Sequence, residues 1–151
     1  MDRIEYGGQG KLWLGDIDQM LYSMKAFDTV ISVCQDPCGI ENAKLSYHWY
    51  NMSDAGTGEG GTFNQEVFDD AADTLYHSLM RDDTVAIHCH VGMSRSVGVA
   101  SASLARLLQI PFEESHDIIL ESRGKTSMKD GVERCARRYV SYGSNNASSP
   151  L

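Results

Sequence analysis

The pattern of apolar and polar positions divides the chain into short apolar runs and longer segments with helical spacing. Four runs are short and rich in β-branched, aromatic or other apolar residues, as expected for strands that lie inside a sheet. They occupy residues 11–15, 28–34, 45–52 and 84–89.

The segments between and after these runs have the spacing of amphipathic helices. After Asn64, which is a candidate N-cap, apolar residues recur at every third or fourth position and give one apolar face. A short helix is expected after Asp16 or Asp18, either of which could cap it. Further helices are predicted over 94–109, over about 112–122 after Pro111, and over 130–142.

Strands that alternate with helices are typical of an α/β fold. We expect a single domain over residues 1–142, with a central, mostly parallel, twisted sheet flanked by helices on both faces, and a flexible polar C-terminal tail over 143–151. The ligands of such sheets bind beyond the carboxyl ends of the strands. Cys89 stands at one such end, which makes the residues after it the first candidates for a functional site.

Composition narrows the class of protein and of partner. The chain has 151 residues, of which 42% are hydrophobic, and a net charge of −8, as expected for one globular domain that binds neither nucleic acid nor an anionic membrane. No apolar run approaches the ~18–20 residues that cross a bilayer, and "MDRIEYGGQG" lacks the apolar stretch of a signal peptide. Four cysteines do not form a disulfide framework. We therefore expect a monomeric cytoplasmic protein.

The stretch "AIHCHVGMSRSVGVA" is suited to hold an anion. If the backbone from His90 to Arg95 curls around Cys89, its N–H groups converge on one point, supported by the positive end of the following helix. Gly92 permits the tight curl, and the planar guanidinium of Arg95 can bind two oxygens of a tetrahedral oxyanion. Since this environment also favours charge on sulfur, Cys89 is expected to be a thiolate at neutral pH and a nucleophile toward phosphorus.

The residues "HCHVGMSRS" fit the signature H-C-x5-R-[ST], and the chain resembles a compact dual-specificity phosphatase of the cysteine-based protein tyrosine phosphatase superfamily. The stretches "LWLG", "VISVC" and "ESRGK" stand in the family order. The resemblance implies a hydrolase that needs no metal or other cofactor and removes phosphate from phosphotyrosine, and from phosphoserine and phosphothreonine, in proteins through a phosphocysteine. The implied nucleophile is Cys89, and the implied phosphate-binding residues are His90, Val91, Gly92, Met93, Ser94 and Arg95.

The resemblance also implies a general acid on a loop upstream of the nucleophile. Asp54 lies 35 residues before Cys89, in a glycine-rich loop that could close over a substrate. Asp36 and Glu59 are the rival acids, but Asp36 follows a different strand and Glu59 lies deeper in the loop.

Four supporting roles follow from the same resemblance. Ser96 is expected to donate a hydrogen bond to the sulfur, or is simply a serine in the first turn of the helix. His88 either orients the loop or is a satisfied core histidine. Ser94 contributes to the loop or merely caps the helix. Cys34 occupies a position from which some family members offer a second thiol to the oxidised nucleophile; its alternative is a small buried residue, and Cys38 is a weaker candidate.

The segment "ESRGKTSMKDG" departs from the family pattern. Many relatives carry a site asparagine there, whereas this chain has Lys129 and Asp130. Arg123, in the same segment, is either a secondary anion contact or the partner of a surface salt bridge.

Three other interpretations compete with the phosphatase. A zinc site could be built from His88, Cys89, His90, Cys34 and Cys38, but on a strand the two histidines face away from the cysteine, and C-x3-C is poor zinc spacing. A structural thiol leaves the adjacent glycine and arginine unexplained. A phosphate-binding module without catalysis would keep the fold and lose the chemistry. Phosphoinositide phosphatases of the superfamily typically carry lysine inside the loop, and this loop has none.

Overall fold

The computed structural model describes residues 1–7, 11–37, 44–52, 65–90 and 94–147, with side chains as far as 142. These ranges contain five strands and five α-helices. The strands are β1 (Asp2–Arg3), β2 (Leu12–Gly15), β3 (Thr29–Cys34), β4 (Ser46–Asn51) and β5 (Val85–His88). The helices are α1 (Ile17–Ser23, followed by a 3-10 turn over Met24–Ala26), α2 (Gln65–Met80), α3 (Arg95–Leu108), α4 (Phe112–Arg123) and α5 (Asp130–Ala147).

The strands form one sheet in the order β1-β2-β5-β3-β4. Only β1, at one edge, runs antiparallel to its neighbour, and the other three pairings are parallel. The carboxyl ends of β2, β3, β4 and β5 therefore all lie on the same side of the sheet, and β5 is the central strand. The predicted mostly parallel α/β fold is confirmed.

Helices cover both faces of the sheet, as the pattern predicts. On one face, alternate strand residues such as Ile31 and Ile87 are fully buried with apolar residues of α2, α3, α4 and α5. Burial of an apolar side chain of this size stabilises the fold by about 1.5–3 kcal/mol. On the other face a smaller cluster contains Met20 of α1 together with Phe27, Val30 and Ala86.

The helix boundaries agree with the sequence patterns except at the C-terminus. Asp16 is the N-cap of α1: its carboxylate accepts from the Gln19 N–H at 2.8 Å, and the Gln19 side chain accepts from the Asp16 N–H at 3.1 Å. The last helix continues to Ala147, so residues 143–147, expected in the tail, are helical. The polar composition after residue 142 suggested the earlier end. However, no proline lies between Asp130 and Pro150 to stop the helix. Asn64 lies outside the described residues.

Gly98 allows α3 and α5 to pack closely. A Cβ atom at this position would lie 2.3 Å from Cγ1 of Val132. This contact fixes α5 against the helix whose N-terminus follows Cys89. Within the described ranges, no helix is both long and apolar enough to cross a bilayer.

Candidate active site

Cys89 follows β5 at the centre of the sheet edge, and its side chain is buried with 2% exposure. Its Sγ lies 3.2 Å from the Oγ of Ser96, which is fully buried in the first turn of α3. A hydroxyl at this distance can donate to a thiolate, and the N-terminus of α3 adds positive potential. A buried hydroxyl and the first turn of α3 thus lie next to the sulfur of Cys89.

Arg95 is the first residue of α3 and is only 4% exposed. One of its terminal nitrogens donates to the carbonyl of Met52 at 2.7 Å. A buried cation at the positive end of a helix dipole is electrostatically unfavourable, and an anion bound beside it would relieve that energy. The hydrogen bond also holds the guanidinium near the end of β4, after which the segment with Asp54 begins.

His88, the last residue of β5, is fully buried. Burial lowers its pKa from 6.5 to about 4, so the imidazole is neutral at neutral pH. Its Nδ1 lies 3.2 Å from the carbonyl oxygen of Cys89, and its Nε2 lies 2.5 Å from the Oγ of Ser32. Ser32 in turn accepts a hydrogen bond from the Tyr47 hydroxyl at 2.8 Å. His88 contacts the loop backbone, which fits the predicted orienting role.

Two further contacts hold the ends of the loop. The carbonyl of His90 accepts from the backbone N–H of Ile17, the first residue of α1, at 3.4 Å. The hydroxyl of Ser94 accepts from the backbone N–H of Lys129 at 3.0 Å and makes no capping hydrogen bond to α3. Ser94 therefore does not act as a side-chain cap but joins the start of α3 to the segment that contains Lys129.

Some predicted residues lie outside the described part of the chain. They are the loop residues Val91, Gly92 and Met93, the acid candidates Asp54 and Glu59, and Cys38. Their roles stay predictions.

Cys34 is buried at the end of β3, is not disulfide-bonded, and donates from Sγ to the carbonyl of Asp36 at 3.1 Å. Alternation along β3 puts it on the opposite face from Ile31 and Val33, which share the larger core cluster with Cys89. A disulfide with Cys89 would require the end of β3 to rearrange, and the redox role stays a prediction.

Arg123 contacts groups away from the loop. Its side chain, 9% exposed, pairs with the Asp2 carboxylate at 2.9 Å and donates to the Leu14 carbonyl at 3.0 Å. These contacts favour the salt-bridge interpretation of Arg123, with its side chain buried and the Asp2 side chain 45% exposed. Within the described residues, no group of three or more His, Cys, Asp or Glu side chains is arranged to hold a metal ion.

The sequence did not predict four groups that contact the site. They are the side chains of Ser32 and Tyr47, the backbone N–H of Ile17 and the backbone carbonyl of Met52. The only sequence signal for Ser32 was a polar residue inside the apolar run "VISVC". The two backbone groups carry no side-chain signal at all.

The sequence matches no protein-family model. Over 59 residues it is 34% identical to dual specificity protein phosphatase 12 of Homo sapiens, and the match covers 39% of this chain. The protein of the same name from Mus musculus gives the same identity over the same length. In both cases the chain spans only 17% of the length of the curated relative.

Solved structures extend the likeness to the whole fold. Human DUSP28 has a TM-score of 0.77 and 14% sequence identity, with 99% of this chain and 100% of that chain covered. A mouse putative dual specificity phosphatase, complexed with zinc tungstate, has a TM-score of 0.77 and 13% identity, with 91% and 86% covered. The predicted resemblance to dual-specificity phosphatases is confirmed, and the fold is the one these structures share.

Proposed function

We propose that this chain is a metal-independent phosphatase that hydrolyses phosphotyrosine, and phosphoserine and phosphothreonine, in proteins through a phosphocysteine intermediate. The observation that carries the proposal is the position of the Cys89 sulfur. It lies 3.2 Å from the Ser96 hydroxyl, at the N-terminus of the helix that begins with Arg95.

In the first step, the Cys89 thiolate attacks the phosphoryl group in line with the ester oxygen. The S–P bond forms as the P–O bond breaks, and Asp54 donates its proton to the leaving alkoxide or phenoxide. Arg95 and the backbone N–H groups of the loop stabilise the charge on the equatorial oxygens. The loop thus supplies the positive charge that a metal ion would otherwise supply.

In the second step, Asp54 acts as a base and takes a proton from water, which attacks phosphorus and releases phosphate. The S–P bond breaks and returns the electron pair to sulfur. Ser96 donates a hydrogen bond to the developing thiolate, which makes Cys89 a better leaving group.

The substrate class follows from the loop and from the overall charge. The loop interior, His-Val-Gly-Met-Ser, offers no lysine for the additional phosphates of a phosphoinositide. A net charge of −8 disfavours nucleic acid and anionic membranes. A phosphorylated protein remains the favoured partner; the monomeric state and the cytoplasmic location stay predictions.

Hydrolysis of an aryl phosphate, with and without a chelator, tests the proposal. We expect chelator-resistant turnover by the wild type, and none by Cys89→Ser, which should still bind vanadate or phosphate. A phosphate-binding module would bind the anion without turnover in either protein. Undiminished activity of Cys89→Ser, or full inhibition by the chelator, would overturn the proposed chemistry.

A further inference from the structure

Side chains from three neighbouring strands form one continuous hydrogen-bond chain that ends on the backbone of Cys89. Tyr47 of β4 contacts Ser32 of β3, Ser32 contacts His88 of β5, and His88 contacts the carbonyl oxygen of Cys89. Ser32 and His88 are register partners in the parallel pairing of β3 with β5. The sheet itself therefore aligns this chain.

The direction of each hydrogen bond follows from the group at its end. The Cys89 carbonyl can only accept, so Nδ1 of His88 carries the proton and donates. The neutral ring then offers Nε2 as an acceptor, and the Ser32 hydroxyl must donate to it. Ser32 has its oxygen lone pairs left to accept from the Tyr47 hydroxyl. One histidine tautomer satisfies every member of the chain.

The last hydrogen bond orients a peptide plane. A trans peptide is planar, and its C=O and N–H point in opposite directions. Holding the Cys89 carbonyl on the His88 side therefore fixes the direction of the His90 N–H, the first amide of the anion-binding turn. The next carbonyl, that of His90, is held by the N–H of Ile17.

We propose that Ser32 and Tyr47 are positioning residues: their hydroxyls hold His88 in the tautomer that clamps the Cys89–His90 peptide, and so keep the anion-binding turn in its working shape. This inference rests on the proposed function and names residues that act through His88, without touching the substrate. The alternative is that these hydrogen bonds only stabilise the sheet.

The charged surroundings of His88 are compatible with this role. His90 and Arg95 disfavour its protonated form, Asp16 and the hydrogen bond to Cys89 favour it, and burial outweighs them all. The ring therefore stays neutral, and Nε2 stays an acceptor, down to about pH 4. The hydrogen bonds from Tyr47 through Ser32 and His88 to Cys89 are therefore all intact over the pH range in which a cysteine phosphatase would be assayed.

The test compares Ser32→Ala and Tyr47→Phe with the control Ser103→Ala. Ser103 is also fully buried and donates to the carbonyl of Ala72 at 2.8 Å, but on α3 rather than in this chain. The direct readout is the rate of alkylation of Cys89 by iodoacetamide against pH, followed by peptide mass. It reports the charge on sulfur whether or not the protein turns over substrate.

We expect Ser32→Ala to shift the midpoint of Cys89 alkylation upward by about half to one pH unit, because one hydrogen bond that orders the turn is lost. With it, kcat/KM for an aryl phosphate should fall about tenfold and vanadate should bind more weakly. Tyr47→Phe should change the same quantities in the same direction but less, with a fall in kcat/KM of about threefold, since Ser32 still donates to His88. The double variant should be no worse than Ser32→Ala alone, because both hydroxyls act through one histidine.

An unchanged alkylation midpoint in both variants, with only a loss of thermal stability like that of Ser103→Ala, would show a purely structural role and overturn the inference. If Ser32→Ala does not fold, the alkylation midpoint of Tyr47→Phe decides the question alone, because this variant loses the hydroxyl and keeps the aromatic ring. Failure of the proposed function looks different: the wild type would not hydrolyse phosphate esters, while the alkylation midpoints would still reveal whether Ser32 and Tyr47 position Cys89.

Discussion

Replacement of Gly98 by alanine is expected to destabilise the protein, although alanine is the better helix former. The new Cβ would lie 2.3 Å from Cγ1 of Val132, whereas carbon atoms in contact normally stand about 3.5–4.0 Å apart. Val132 is 1% exposed on α5, and a β-branched residue in a helix has essentially one χ1 rotamer. The side chain cannot turn away, so α3 and α5 must move apart by about an ångström.

The change in the free energy of unfolding caused by Gly98→Ala is the balance of two effects. Overpacking of this kind destabilises a core by about 1–3 kcal/mol, and exchanging glycine for alanine inside a helix recovers about 1 kcal/mol. We expect the free energy of unfolding to fall by up to about 2 kcal/mol, which lowers Tm by up to about 8 °C in a domain of this size.

Urea denaturation of Gly98→Ala, Val132→Ala and the double variant measures the balance. Val132→Ala removes the clashing methyl group, so adding Gly98→Ala in that background should stabilise the protein by up to about 1 kcal/mol. The sign of the Gly98→Ala effect thus reverses with the residue at position 132. A single variant more stable than the wild type would refute the reasoning.

Four further outcomes are expected. Asp54→Ala should slow esters with poor leaving groups by about 10²–10⁴-fold and activated aryl esters far less; an equal, small loss on both would move the acid role to another residue. Ser96→Ala should slow phosphocysteine hydrolysis and produce a burst of released alcohol in stopped-flow assays. Because Cys34 lies on the opposite face of β3 from Val33, we expect mild peroxide to convert Cys89 to sulfinic acid; a Cys34–Cys89 disulfide in peptide mapping would show that the end of β3 rearranges and would support the redox role. Since the folded-state pKa of His88 is about 4 and its unfolded value 6.5, the unfolded chain binds more protons in that window, and denaturation midpoints should fall as the pH drops from 6.5 to 4.

Local signals in the sequence predicted four of the five described strands and the five described α-helices, but not β1. The run "VISVC" lies in β3, and the motif correctly put Cys89 near Ser96, because the strand before Cys89 and the helix after it are close in the sequence. Asp54, by contrast, was assigned by its distance along the chain and lies outside the described residues.

The supporting contacts could not be predicted because they depend on register between distant strands. Ser32 meets His88 only because β3 and β5 pair with these residues opposite one another. Tyr47 reaches Ser32 from a third strand. The residue pattern within one strand does not say which residue of another strand lies opposite, so Ser32 and Tyr47 looked like ordinary strand residues.

The central place of β5 also has a consequence for how the chain assembles. Its partners β2 and β3 both precede it in the sequence, and they are not paired with each other. Until Val85–His88 has been synthesised, both strands expose backbone hydrogen-bonding groups that no neighbour satisfies. The strand that precedes Cys89 is therefore also the one that joins the two halves of the sheet. A chain that ends before Val85 would have two open sheet edges, at β2 and β3, in addition to those at β1 and β4, and we expect it to aggregate rather than fold.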